Sequence, residues 1–307
     1  MDGDGSPSHG SKYECLLFDM DDTLYPMSAG LNLACRKNIQ EYMLQHLQIE
    51  ESEVPRMCLE LYKEYGTTMA GLKAMGYEFD DDEFHAYVHG RLPYDTLKPD
   101  PILRNLLLSM PQRKIIFTNA DKAHAAQVLK GLGLEDCFEG IICFETLNPP
   151  LQSYDDDHLG SDGGDGVDGG DDDYHLSGGG GDDDCVLLPK IESETTCNGE
   201  FSKSRIICKP SPEAFEAAIK IANVDPNKTI FFDDSVRNIA SGKAAGLHTV
   251  IVGSSELVPG ADLALSSIHN IKEAVPEIWE GEGDSGGDHE LGQILHQSTA
   301  VQTFVLA

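Results

Sequence analysis

The sequence lacks several features, and each absence excludes a class of protein. No run of 18 consecutive apolar residues occurs, so no segment predicts a transmembrane helix. Residues 1–12 have neither a basic cluster nor an apolar stretch, which argues against a secretory signal and favours a cytoplasmic protein, with the nucleus also open. The eight cysteines are scattered without a Cys-x-x-Cys pair, so we expect free thiols in a reducing compartment.

Basic residues are also scarce. The chain of 307 residues has 22 Lys and Arg against 53 Asp and Glu, a formal net charge of −31. Such an acidic surface argues against nucleic acids and anionic membranes as partners. It does not exclude an anionic small molecule, because local cations and a metal can reverse the sign inside a cleft. Nothing in the sequence predicts the oligomeric state.

Part of the acidity is concentrated in residues 148–205, which hold 12 Asp and 3 Glu against 3 Lys or Arg among many glycines. This composition cannot bury enough apolar surface to offset the entropy of ordering. The spacing of the acids does not match an EF-hand loop. We therefore predict a disordered acidic insertion here, a flexible leader at residues 1–12 and a flexible tail at residues 281–307.

The rest of the chain alternates short apolar runs with helical periodicity. The apolar runs predict strands at about 13–19, 114–119, 140–144, 229–234 and 248–253. Residues 25–98 show four short helical patterns and no strand. The alternation predicts an α/β fold, a three-layer Rossmann-like parallel sheet, built from residues 13–24, 99–147 and 206–280. Residues 25–98 are then an α-helical cap inserted after the first strand.

The first strand runs into three acids, Asp19, Asp21 and Asp22. A strand inside a sheet cannot hold unpaired carboxylates cheaply, so the acids belong where the strand emerges, at its carboxyl end. Ligands of open parallel sheets bind at that edge. Taken alone, the acids are equally typical of a turn that merely closes a strand.

Other polar residues follow other predicted strands. Thr118 and Asn119 come after the second strand, and Asp233 and Asp234 after the fourth. In a parallel sheet these ends share one edge, so all of them converge on a single cleft. The carboxylates form an oxygen site that suits Mg²⁺, while Thr118 and Asn119 can donate to a phosphoryl oxygen. The excess of carboxylates calls for a fixed cation, for which Lys209 is the candidate.

Four motifs resemble those of the haloacid dehalogenase (HAD) superfamily, in the same order. They are Phe-Asp-Met-Asp-Asp-Thr-Leu at 18–24, Phe-Thr-Asn at 117–119, Lys-Pro at 209–210 and Phe-Asp-Asp-Ser at 232–235. Each alone is weak, but together they are specific. They cover the predicted core and leave the acidic insertion and both tails unexplained.

The resemblance implies a Mg²⁺-dependent phosphatase. Asp19 would be the nucleophile that becomes an aspartyl phosphate, and Asp21 the acid and base, with its backbone carbonyl also facing the metal. Thr118 and Lys209 would hold phosphoryl oxygens. Asp234 would be the main carboxylate ligand of the metal besides Asp19, and Asp233 would act through water or orient the ligands.

The predicted cap resembles that of pyrimidine 5′-nucleotidases of the yeast and plant type. The similarity lies in Tyr25-Pro26, Tyr65-Gly66-Thr67-Thr68 and Gly71-Leu72, and it implies a pyrimidine nucleoside 5′-monophosphate as substrate. Tyr25 and Tyr65 are candidates for stacking on the base, although packing is the commoner role of each. Alternatives are a phosphatase for a sugar phosphate, flavin mononucleotide or lysophospholipid, or a non-catalytic adaptor displaying the acidic loop.

Overall fold

A sheet of six parallel strands forms the centre of the molecule, in the order β3-β2-β1-β4-β5-β6. The computed structural model describes residues 12–150 and 206–279. The strands are β1 Cys15–Phe18, β2 Arg113–Phe117, β3 Gly140–Ile142, β4 Thr229–Asp233, β5 His248–Val252 and β6 Leu263–Leu265. The chain adds strands to one side of β1 and then to the other. The order therefore reverses between β1 and β4, the position at which open α/β sheets bind ligands.

Helices cover both faces of the sheet because strand residues alternate between them. On β1, Leu16 and Phe18 face one apolar cluster, while Cys15 and Leu17 face the other. The first cluster packs under α5 and α6, and the second under α8 and α9. The flanking helices are α5 Pro101–Leu108, α6 Lys122–Leu132, α7 Phe144–Leu147, α8 Pro212–Ala222, α9 Val236–Ala244 and α10 Ile271–Ala274. The predicted three-layer α/β fold is confirmed.

Local sequence fixes where these helices begin. The side chain of Asp100 accepts a hydrogen bond from Leu103 N at 2.9 Å, and Pro101 follows it in the first turn of α5. Ser211 accepts from Ala214 N at 3.2 Å, and Pro212 opens α8 in the same way. A side-chain acceptor followed by proline satisfies an orphan N–H and presets the helical φ. These caps fix the first turns of α5 and α8.

Four helices between β1 and α5 form a separate cluster. They are α1 Leu31–Gln45, α2 Val54–Tyr65, α3 Thr68–Ala74 and α4 Asp81–Val88. Their apolar residues, among them Tyr42, Leu61 and Leu72, are buried together. Phe144 of α7 joins this cluster and so ties it to the sheet. The four predicted helical patterns are found, and the division of the chain into a core and a cap at residues 25–98 stays a prediction.

The sequence predicted five strands, and the structure has a sixth. β6 has only three residues, of which Leu263 is exposed and Leu265 buried. So short an edge strand has no apolar run for periodicity to detect. The predicted first strand at about 13–19 is also shorter, since β1 ends at Phe18 and leaves Asp19 beyond the strand.

The predicted leader 1–12 and tail 281–307 lie outside the described residues, except for Lys12, as does the predicted acidic insertion apart from residues 148–150. The two sides of this gap lie next to each other. Asn148 donates to Ile207 O at 3.0 Å and accepts from Ile207 N at 2.7 Å. Among the described helices, none has the length and apolarity needed to cross a bilayer.

Candidate active site

The predicted site residues lie at the carboxyl ends of three neighbouring strands. Asp19 follows β1, Thr118 follows β2, and Asp233 and Asp234 lie at the end of β4. Lys209 reaches the same edge from the segment before α8. β1 is hydrogen-bonded to both β2 and β4, so these ends are adjacent. Residues distant in sequence therefore meet at the point where the strand order reverses.

Lys209 is at the centre of the site. Its Nζ atom donates to Asp19 Oδ1 at 2.7 Å, to Asp233 Oδ2 at 2.9 Å and to Phe117 O at 2.7 Å. The side chain is only 1% exposed. Burial lowers the pKa of Lys209, but the charges of Asp19 and Asp233 outweigh burial and hold that pKa above its usual value. Lys209 is thus a permanent buried cation that joins two carboxylates.

Asn119 holds the backbone of Lys209 in place. Its side-chain amide donates to Lys209 O at 2.9 Å and accepts from Lys209 N at 2.8 Å. These two bonds use one of the two N–H groups of the amide, so its predicted contact with a phosphoryl oxygen stays a prediction. Asn119 acts on the site by positioning Lys209.

Asp19 is held through both of its oxygens. Thr23 donates to Asp19 Oδ2 at 2.9 Å, and Lys209 bonds Oδ1. Burial raises the pKa of Asp19 to about 7. The charges of Asp233 and Asp21 act in the same direction, against the lowering effect of Lys209. The carboxyl group of Asp19 is fixed in orientation, but the charge of Lys209 does not fully offset burial and the neighbouring carboxylates.

Asp19, Asp233 and Asp234 fit a divalent metal ion. Each offers a carboxylate oxygen, and these atoms lie within 4.8 Å of one another. Burial, followed by the charges of Asp19 and Asp233, raises the pKa of Asp234 to about 8. Three carboxylates against the single ammonium of Lys209 leave two formal negative charges, which one hard divalent cation balances.

Asp233 and Asp234 are placed differently within this trio. Both oxygens of Asp233 accept hydrogen bonds from Asn238 Nδ2, at 3.0 and 3.1 Å, and it also accepts from Ser235 N and Lys209. No group within residues 12–150 and 206–279 donates a hydrogen bond to the Asp234 carboxylate. Asp234 is therefore the better placed to bind a metal directly, and Asp233 to orient the groups around it.

Asp21 has a contrasting environment. Its Oδ1 atom accepts from the Tyr25 hydroxyl at 2.5 Å and from His124 Nε2 at 2.8 Å. Burial alone raises the pKa of Asp21, but the charge of His124 and these two hydrogen bonds outweigh it and lower the pKa to about 2. A carboxylate only accepts hydrogen bonds, so Nε2 of His124 carries a proton.

The histidines around Asp21 were not predicted from the sequence. His124 lies in the first turn of α6, is 3% exposed, and its Nδ1 is 2.8 Å from the hydroxyl of Tyr94. His89, directly after α4, pairs with Asp121, whose side chain caps α6. One signal was available: α6 starts just after β2, so its first turn lies at the edge of the sheet where the site was expected.

Thr118 is buried beside the cluster, with 1% of its surface exposed. Its hydroxyl oxygen accepts a hydrogen bond from Ala120 N at 3.1 Å. A hydroxyl both accepts and donates, so this bond leaves its hydrogen to point towards another acceptor.

A cavity of about 490 Å³ adjoins these residues. Asp21, Asp234 and His124 line part of it, and residues of α1 and α2 line most of the rest. Of the two predicted base-stacking residues, Tyr25 lines the cavity, although it is 5% exposed and bonded to Asp21, whereas Tyr65 packs in the apolar cluster of α1–α4. Tyr62 of α2, which is 45% exposed, also lines the cavity and was not predicted.

The family follows from the sequence as well as from this geometry. The family model for haloacid dehalogenase-like hydrolases matches residues 13–151 and 189–246. These two segments include β1, β2 and β4 and all of the clustered residues. The chain belongs to this family, and the protein is an enzyme of the hydrolase class.

One relative is similar to part of the chain. Phosphate metabolism protein 8 of Saccharomyces cerevisiae is 33% identical over 132 residues, 40% of this chain and 41% of that protein. The matched segment thus spans less than half the length of that relative.

Solved structures show more remote likeness. An HAD phosphatase from Thermococcus onnurineus is 16% identical with a TM-score of 0.47, covering 88% of this chain and 99% of its own. A putative β-phosphoglucomutase from Thermotoga maritima is 19% identical with a TM-score of 0.42, covering 85% and 97%. Likenesses this remote carry no information on the substrate of this chain.

Proposed function

We propose that this chain is a Mg²⁺-dependent phosphatase that hydrolyses pyrimidine nucleoside 5′-monophosphates through an aspartyl phosphate. The observation that carries the proposal is the fixing of Asp19 by Lys209 and Thr23 beside two further carboxylates. A buried carboxylate held in one orientation at a cluster of acids is arranged for attack at phosphorus. The pyrimidine preference rests on the resemblance of the predicted cap, residues 25–98, to that of pyrimidine 5′-nucleotidases. The name of the relative, Phosphate metabolism protein 8, supports phosphate chemistry.

Asp19, Asp234 and the backbone carbonyl of Asp21 would hold Mg²⁺, with Asp233 orienting the ligands. When bound, Mg²⁺ supplies positive charge that offsets the repulsion between a carboxylate nucleophile and a phosphate. The Thr118 hydroxyl would donate to a phosphoryl oxygen, and Lys209 would exchange one of its three protein acceptors for another phosphoryl oxygen.

In the first step, a carboxylate oxygen of Asp19 bonds to phosphorus as the bond to the leaving oxygen breaks, and Asp21 gives that oxygen a proton. In the second step, water attacks the phosphorus, Asp21 takes the proton from water, and inorganic phosphate leaves Asp19. The contacts from His124 and Tyr25 favour the carboxylate form that the second step needs. We expect the negative charge of bound substrate to raise the pKa of Asp21 for the first step.

His124 and Tyr25 are positioning residues in this scheme. Both bond Oδ1 of Asp21, which leaves Oδ2 as the oxygen that faces the reacting atoms. Tyr94 supports His124 from the other ring nitrogen. A carboxyl group held in one orientation exchanges its proton through the same oxygen in both steps. Proton transfer then depends on where that oxygen is placed relative to the substrate.

Replacing Asp19 by Asn tests the proposal. Asn is nearly isosteric but does not attack phosphorus, so we expect phosphate release to fall by about 10³-fold or more with the fold retained. Release is measured across nucleotides and sugar phosphates, with and without Mg²⁺. Asp136→Asn, which removes an exposed partner of Arg104, is the matched control and should stay active. Full activity of Asp19→Asn would rule out this nucleophile.

A further inference from the structure

One wall of the cavity carries two parallel rows of side chains from α1. Asn32, Arg36 and Gln40 recur every four residues and form a polar row, and Leu31, Cys35 and Ile39 form an apolar row beside it. The polar row extends over eight residues, about 12 Å along the helix. Asn32 donates to Asp22 Oδ2 at 2.8 Å, so the row begins beside the acids, and Arg36 and Gln40 continue it along the helix away from them.

Arg36 differs from the other arginines that the structure describes. It makes no hydrogen bond or ion pair with any group in residues 12–150 and 206–279. The others all bond to carboxylates or backbone carbonyls: Arg56 to Glu53 and Glu60, Arg91 to Glu41, Arg104 to Asp136, Arg113 to Glu139, and Arg237 to Tyr62 O and Lys63 O. Among the described arginines, Arg36 is thus the one whose guanidinium has neither a carboxylate nor a carbonyl partner within residues 12–150 and 206–279.

Arg36 lines the cavity, where its guanidinium can bind a ligand. It is the only Lys or Arg among the described residues that line the cavity, whose carboxylates lie at the reacting end. Gln40, one turn further along, also lines the cavity and has amide donor and acceptor capacity. A ligand that reaches from Asp21 along α1 meets these donors next.

We propose that Arg36 and Gln40 bind acceptor oxygens at the far end of the leaving group, and that this end is a planar heterocyclic base with ring carbonyls. The inference rests on the proposed function and extends it, because it assigns the residues that choose the substrate. It makes Arg36 a specificity-determining residue that takes no part in bond breaking.

The walls favour a heterocycle over a second anionic group. The apolar row of α1 and the side chains of Leu59 and Tyr62 from α2 offer flat apolar contact suited to ring faces. The polar row lies beside them, where it meets ring edges. A second phosphate would find a single cation and apolar neighbours. The cavity volume of about 490 Å³ is within the usual range for small-molecule sites.

The test compares two substrates that share the scissile group. Uridine 5′-monophosphate carries the base, and ribose 5-phosphate lacks it. For Arg36→Met we expect kcat/KM for uridine 5′-monophosphate to fall about 10- to 100-fold, mainly through KM, with ribose 5-phosphate changed less than twofold. Gln40→Leu should show the same pattern with a smaller loss. Arg56→Met, on the outer side of α2, is the control and should change neither substrate.

Other outcomes overturn the inference. An equal loss for both substrates would make Arg36 structural, and no loss for either would leave it a surface residue. A loss confined to fructose 1,6-bisphosphate, tested alongside, would assign Arg36 to a second anion. Wild-type protein that hydrolyses none of these esters refutes the proposed function itself, so the two failures are distinct.

Discussion

Asp19 and Asp21 stand two residues apart, yet their surroundings move their pKa values in opposite directions. Asp19 is buried beside other carboxylates, and its pKa is raised to about 7. Asp21 contacts a histidine and a tyrosine, and its pKa is lowered to about 2. Separated pKa values are what a pair of carboxyl groups needs to take different parts in one reaction.

The difference comes from the elements that surround each residue. The Asp19 side of the site is built from strand ends, which bring further acids and one lysine. The Asp21 side is built from α6 and from residues flanking the helical segment, which bring His124, Tyr25 and Tyr94. On the Asp19 side three carboxylates share one ammonium, whereas on the Asp21 side a histidine and a tyrosine both bond a single carboxylate. The two sides should therefore respond differently to substitution, pH and metal.

Lys209→Met breaks the Asp19 side and should have the largest effect. It removes the ammonium that bonds both Asp19 and Asp233 and that would bind a phosphoryl oxygen. We expect phosphate release to fall by about 10³-fold or more at saturating Mg²⁺. Lys243→Met, which removes a surface ion pair with Asp262, is the control. A loss of less than tenfold for Lys209→Met, in protein with unchanged Tm, contradicts the assignment.

His124→Asn breaks the Asp21 side, with an effect that depends on the leaving group. An alkyl phosphate needs a proton on its leaving oxygen and p-nitrophenyl phosphate hardly does. We expect formation of the aspartyl phosphate to slow about 10- to 100-fold for the alkyl ester and much less for the nitrophenyl ester. Pre-steady-state bursts of nitrophenol measure this step directly.

The control for this substitution is a matched pair elsewhere. His269 Nε2 lies 2.8 Å from Asp100, the same distance as His124 from Asp21. His269→Asn should leave both substrates unaffected, and Tyr25→Phe should repeat the pattern of His124→Asn. Equal slowing of both esters would show that His124 supports the fold rather than the proton transfer.

The smallest expected effect is on the pH dependence of the free energy of unfolding when no metal is bound. The ordinary pKa of both Asp19 and Asp234 is 3.8, and in the fold it rises to about 7 and about 8. Their protonated forms stabilise the fold fully below about pH 4, and this contribution falls with rising pH until it is lost above about pH 8. In EDTA we expect the free energy of unfolding to drop between pH 5 and 8.5 by on the order of 2 kcal/mol more than in Asp234→Asn.

Urea denaturation at several pH values measures this difference. At pH 8, Mg²⁺ binds the folded carboxylates and should restore stability to the wild type but little to Asp234→Asn. Identical pH profiles for the two proteins in EDTA would show that Asp234 does not share the charge repulsion of the cluster.

The sheet and the cluster at its edge could be predicted because both depend on local signals. Apolar runs marked five strands, and the acids that follow β1 and β4 had to lie at the carboxyl ends. Parallel pairing then brought Asp19, Asp233 and Asp234 together with Lys209. β6 was not predicted, because a strand of three residues is too short to show a hydrophobic periodicity.

Contacts that depend on tertiary packing could not be predicted. His124 lies in a helix that follows β2, but which residue its ring contacts depends on how Tyr25 and Tyr94 pack against the core. The four-residue spacing of Asn32, Arg36 and Gln40 is visible in the sequence, but the helix face that borders the cavity is not. For Asn119 the position at the sheet edge was predicted, but its contacts with the backbone of Lys209 were not, because they depend on how the segment before α8 packs.

Two asparagine side chains anchor the chain where it resumes after residue 205. Asn148 hydrogen-bonds the backbone N–H and C=O of Ile207, and Asn119 does the same with Lys209. The chain therefore leaves the core at Asn148 and is anchored again just before Lys209. Because the entropy of closing a flexible loop costs only about 0.6 kcal/mol for each doubling of its length, we expect a change in the number of residues between these two anchors to have a small effect on stability.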